Sequence, residues 1–183
     1  IEGLGGEVVS ISATSSNHIN AMDMEQGYGD GENPVVLKSE FILSLCEQLM
    51  GAGKLSAKEK SIIDRCTALC YQDYIRGGWT GTPPTLRDFH AELLRQPEAE
   101  ARDVALAIEL FTEGSLNTFA KPTNVNTSAR ILCYDIRDLG KQLLPVGMLV
   151  VLDSVFNRII RNRRLGRSTW VYIDEIYVRP EAA

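Results

Sequence analysis

The stretch TWVYIDEIY, residues 169–177, runs Val171, Tyr172 and Ile173 straight into two carboxylates, Asp174 and Glu175. A short run of β-branched and aromatic residues reads as a buried strand. The carboxyl end of such a strand in a parallel sheet opens on the crevice where α/β proteins take their ligands. Asp174 there could hold the water shell of Mg²⁺, and Glu175 could orient or deprotonate an attacking water. A strand running into a solvated acidic turn is the other reading of the same residues, and the motif alone leaves both open.

Working back from this stretch, Leu143, Met148, Leu152, Val155, Ile159 and Ile160 recur at helical spacing, which predicts a long helix over about 138–164 despite Pro145 and Gly147. ARILCYDI, 129–136, reads as a further strand, so strand, helix and strand form a crossover unit of a parallel sheet. EVVSIS, 7–12, after Gly5 and Gly6, reads as a strand near the start, and the Ser-, Asn- and Gly-rich stretch 13–34 reads as loop. Four helices are expected between these parts. The first runs from Leu37 with Ser39 as its N-cap, and Gly51 and Gly53 stop it. Ser56 with Glu59 opens the second, Thr85 with Asp88 opens the third, and Pro97 stands in the first turn of the fourth. The fold class is α/β with an all-helical insertion.

A nucleotide site needs a phosphate cradle, G-x-x-x-x-G-K-[ST], between a strand and a helix. The nearest match, MGAGKLS at 50–56, has Gln48 in place of the first Gly and Leu55 in place of the hydroxyl, and it joins two helices. It reads as a helix stop and turn. Arg158, Arg161, Arg163, Arg164 and Arg167 crowd the end of the long helix, where cations complement the helix dipole. A solvated helix end, a phosphate or nucleic-acid contact, and an arginine reaching a neighbouring subunit's nucleotide all fit that run. His18 and His90 stand apart from any nucleophile at a diagnostic spacing. Cys66 and Cys70 share a helical face but have no second pair to complete a metal site, so they read as buried structural thiols.

At 183 residues and 44% hydrophobic the chain can close one core, and its net charge of −5 gives no bulk attraction for nucleic acid or anionic membrane. Neither a membrane-length apolar run nor a signal sequence is present, and sparse cysteines suit a reducing, cytoplasmic compartment.

Two blocks, LGGEVVSISATSSNHINAMDM at 4–24 and 119–177, which includes YDIRDLGKQL, VLDSVFNRI and YIDE, resemble the ATPase domain of conjugative-transfer proteins of the VirB-four, TraC and TraE group. These are cytoplasmic motor components of type IV secretion systems, which energise DNA or protein transfer. The resemblance implies a partial RecA-like P-loop NTPase sheet, related to the FtsK and HerA motors, formed by 1–36 and 114–183, with 37–113 as the helical insertion. It makes Asp174 the Walker B residue, holding Mg²⁺ through water, and Glu175 the catalytic acid/base. It implies Mg²⁺ and ATP as cofactors in the full-length family and a hexamer whose site is completed by a neighbour's arginine. Arg161, Arg163 and Arg164 are candidates for phosphate or intersubunit contact, although none matches that arginine individually. The implied partners are further copies of the chain and secretion components, at the inner face of the membrane, with nucleic acid a weak one.

The family's Walker A loop would lie before Ile1, and after Tyr177 the sequence gives only VRPEAA. The chain is therefore expected to be an internal fragment that holds no cofactor and neither binds ATP tightly nor hydrolyses it. An open edge beside the Walker B strand predicts a dimer or swapped assembly. Two alternatives stay beside this reading. The helical part would be a docking module of the secretion apparatus, or the run Arg158 to Arg167 would contact nucleic acid.

Overall fold

A computed structural model describes residues 1–51 and 53–174. A 3-10 turn, Glu2–Leu4, leads into β1 (Glu7–Ser10). Four helices follow: α1 (Pro34–Met50), α2 (Ala57–Arg76), α3 (Leu86–Arg95) and α4 (Ala99–Thr112). The chain then forms β2 (Leu132–Asp135) and α5 (Leu144–Arg164). β1 and β2 pair in parallel with Val8 opposite Cys133. The four helices are thus the connection between two parallel neighbours.

Each helix begins where its sequence satisfies the first free N–H groups. Asn33 accepts from the Val35 N–H, and Pro34, which has no N–H to satisfy, occupies the first turn of α1. Ser39, expected as that cap, lies one turn inside instead. It is buried and donates to Asp64 of α2, because the Asn-Pro pair starts the helix earlier. Ser56 with Glu59 and Thr85 with Asp88 form complete capping boxes. Pro97 falls just before α4, whose cap position is Glu98. α1 ends at Gly51, whose φ of 102° is a backbone state open chiefly to glycine, so MGAGKLS is a stop and turn between helices.

The helices enclose a core containing Ile42, Leu45, Ile63, Phe89, Leu93 and Val104, all almost fully buried. Two long loops on either side of the helical part are stitched together. The His18 N–H donates to Asn124 Oδ1 at 2.7 Å, the Asn20 N–H to Thr123 Oγ1 at 2.8 Å, and the Ala21 N–H to the Phe119 carbonyl at 3.1 Å. Entry to and exit from the helical part are therefore one seam.

α5 starts at Leu144, later than its periodicity suggests, with Pro145 in the first turn where a missing N–H does no harm. Tyr134 Oη lies 3.0 Å from Ser154 Oγ, while Arg158 further along α5 donates to the carbonyls of Thr127 and Ala129, ahead of β2. α5 therefore runs antiparallel to β2 and ends at the sheet's amino edge. Gly166, at φ 69°, turns the chain, but 168–174, expected as a strand, forms none. A strand exists only as a member of a hydrogen-bonded ladder, and this stretch pairs with neither β1 nor β2. The expected second half of the crossover unit is absent among the described residues.

Candidate functional site

A cleft of about 880 Å³ opens between the loop 19–28, the second half of α5 and the loop 127–130. One wall carries Asp23, Glu25 and Tyr28, and the other carries arginines of α5 together with Arg130. Its floor is a charge network that the sequence pattern does not advertise. Lys38, fully buried on α1, donates to Asp153 Oδ2 of α5 at 2.8 Å and to the Ala21 carbonyl at 3.2 Å. Its ammonium also lies 4.7 Å from the Tyr28 ring centroid and 4.6 Å from that of Phe41. Tyr28 Oη donates to Asp153 Oδ1 at 2.5 Å, and Asn157 Nδ2 donates to Oδ2 at 3.2 Å.

Burial pulls the Lys38 ammonium below its ordinary range, opposed by the Asp153 charge beside it. The same burial, with the Asp153 carboxylate, pushes the Tyr28 phenol well above its ordinary range. Tyr28 therefore stays a hydrogen-bond donor at every working pH. Asp23 is also pushed up, mainly by burial, although Thr123 and Asn20 donate to it at 2.5 and 3.0 Å.

The arginine run is largely engaged inside the chain. Arg158 braces the loop before β2 through two carbonyls. Arg161 meets Glu25 at 3.3 Å, Arg163 pairs with Asp30, and Arg164 reaches Asp30 at 3.5 Å. All three pairs are well exposed, so each adds little to stability. The arginines gather at the amino end of β2, opposite the carboxyl ends where open α/β sheets bind ligands. Arg161, Arg163 and Arg164, the candidates for a phosphate or intersubunit contact, here hold acidic side chains of the loop before α1.

Asp174 is exposed at the end of the extended stretch, and Glu175 lies outside the described residues. Trp170 and Tyr172 just before it are 82% and 91% exposed, unlike residues of a sheet interior. No group of three or more metal-ligating side chains exists among the described residues. Burial pushes the thiols of Cys46, Cys66 and Cys70 up to about 12, 11 and 12. At pH 8 a thiol reagent should therefore label Cys133 ahead of these three in the folded protein, and all four together in urea. Fast labelling of Cys46 or Cys66 without denaturant would contradict this packing.

The solved structure of VirB4 of Thermoanaerobacter pseudethanolicus superposes on 89% of the chain with a TM-score of 0.74 at 17% identity. The chain is similar in fold to VirB4. It spans 65% of that VirB4 chain. No protein-family model matches the sequence, and no curated protein matches it. The likeness therefore bears on the fold rather than on chemistry. No helix among the described residues is long and apolar enough to cross a membrane.

The sequence does not advertise Lys38, Tyr28 and Asp153, because Lys38 and Asp153 look like ordinary surface residues of amphipathic helices and Tyr28 sits in a Gly-rich loop. The one available signal was the placing of Lys38 three residues before Phe41 on the apolar face of α1.

Proposed function

We propose that this chain is part of the motor domain of a type IV secretion ATPase, with 168–174 as its Walker B segment. The observation that carries this reading is the VirB4 fold, matched over 89% of the chain and ending in an apolar run capped by Asp174 and Glu175. In the complete sheet that run would pair with further strands, and its four consecutive exposed apolar residues, Trp170 to Ile173, are what such a neighbour would cover.

The carboxylate of Asp174 is a hard oxygen donor of the kind Mg²⁺ prefers, and Glu175 would act on the attacking water. Bound Mg-ATP would supply the phosphoryl group and the charge neutralisation. Neither Gly-Lys pair among the described residues has the spacing of a phosphate cradle, G-x-x-x-x-G-K-[ST]: Gly53-Lys54 joins α1 to α2, and Gly140-Lys141, between β2 and α5, has Asp135 in place of the first Gly and Gln142 in place of the hydroxyl. This polypeptide alone is therefore expected to show no micromolar binding of Mg-ATP by calorimetry. A longer protein that joins it to a phosphate loop should hydrolyse ATP. There Glu175→Gln should lower turnover about 10²–10⁴-fold while nucleotide binding persists. Wild-type turnover in that variant would overturn the assignment. Assembly with further copies belongs to the same reading, and a strictly monomeric protein by light scattering would count against it.

A further inference from the structure

We propose that the cleft beside α5 is a phosphodiester site that takes the backbone of single-stranded nucleic acid without regard to sequence. Five arginines line it: Arg158, Arg161, Arg164 and Arg167 from α5 and its end, and Arg130 from the loop before β2. Three carboxylates share the lining, Asp23, Glu25 and Asp153. Lys38 already neutralises Asp153 at 2.8 Å, which leaves five arginines facing two carboxylates along the lining. The cleft is therefore locally cationic in a chain whose net charge is −5.

The arginines divide by what they are free to do. Arg158 is spent on the Thr127 and Ala129 carbonyls and fixes the wall. Arg161 and Arg164 hold Glu25 and Asp30 in exposed pairs, which exchange readily for a phosphate that accepts a guanidinium in bidentate fashion. Arg130 and Arg167 are exposed and have no acidic partner among the described residues. Arg161 and Arg164 lie three residues apart on α5, about 4.5 Å of helix rise, so the two can meet neighbouring phosphates. The Ser168 hydroxyl adds an uncharged donor along the same lining, while Ser128 donates to Asn126 and Ser154 pairs with Tyr134. A concave, cationic groove that tracks a flexible backbone is how single strands are held, whereas a duplex offers its phosphates on a convex surface.

This site lies at the amino end of β2, and Asp174 is not among its lining residues. Its test is accordingly separate from that of the ATPase reading. Anisotropy of a short labelled oligothymidylate, without nucleotide, should show binding that weakens steeply as salt rises. Arg130→Ala with Arg167→Ala should weaken it at least tenfold and flatten the slope of log K against log salt by about 1.4, two single-strand phosphate contacts. Both side chains are exposed, so an unchanged thermal melt is expected to accompany that loss. Asp30→Asn should tighten binding by freeing Arg163 and Arg164, and Asn tolerates the positive φ of 54° at that position. No salt-dependent binding by the wild type, or unchanged affinity and slope in the double variant, would overturn the site. Displacement by polyglutamate as effective as by unlabelled oligothymidylate would also overturn it, in favour of an acidic peptide. Loss of ATP hydrolysis on Glu175→Gln should leave this binding unaltered.

Discussion

Asp153→Ala is expected to destabilise the fold by about 3–5 kcal/mol in urea melts, because it leaves the fully buried Lys38 ammonium without its counter-charge. Lys38→Met should cost less, about 1–3 kcal/mol. The abandoned Asp153 carboxylate is 16% exposed and keeps donors in Tyr28 and Asn157. Lys38→Met combined with Asp153→Leu should lose less than the two single changes added, since an apolar pair removes both desolvated charges. Equal costs for the two single variants, or strict additivity, would show that the pair is not coupled as its geometry implies.

The pH dependence follows from the direction of the lysine shift. Burial lowers the folded-state pKa of Lys38, so between that value and the unfolded value of about 10.4 the unfolded chain binds the extra proton. Stability contributed by this group therefore rises with pH across that window. Without Asp153 the depression deepens, and the deficit of Asp153→Ala should shrink from pH 7 toward pH 10. A deficit that grows over that range would contradict the assignment.

Tyr71→Ala is expected to cost about 3–5 kcal/mol, the usual loss for emptying a fully enclosed aromatic site. The ring sits on α2, inside the core, while its hydroxyl donates to the Met22 carbonyl at 2.6 Å. Tyr71→Phe separates these roles. It keeps the packing but strands the Met22 carbonyl, for about 1–3 kcal/mol. The bond joins the helical part to the loop 19–28 that forms one wall of the cleft. Amide exchange near Met22 should therefore accelerate in Tyr71→Phe by more than global destabilisation accounts for. Unchanged exchange there would mean that the seam to Thr123 and Asn124 holds the loop without help from α2.

Where each element could be read in advance depended on how local its causes are. The capping boxes at Ser56 and Thr85 involve residues three apart, and the structure has both. The stop at Gly51 is equally local. Ser39 was mistaken for a cap because its hydroxyl type suits that role, yet its partner Asp64 is on another helix. The stretch 168–174 has a strand's composition but no strand partner among the described residues, which no window of sequence can supply. The VirB4 likeness supports the α/β fold, and the helices between β1 and β2 follow from the element order and pairing of this chain. Asp174 was legible as half of a motif, whereas the Lys38 network and the cleft above it were not.

The sequence by itself determined the existence of the five helices, the capping boxes at Ser56 and Thr85, the two short strands as segments and the reading of MGAGKLS as a helix stop. These rest on hydrogen bonds and apolar periodicity within a few residues of each other. Only the tertiary structure decided that Lys38 and Asp153, more than a hundred residues apart, neutralise each other beneath one cleft. It also placed the arginine run at the amino end of the sheet. Charge interactions act through space and burial, so the same arginines read alike on a solvated helix or around a bound phosphate until the fold places their neighbours.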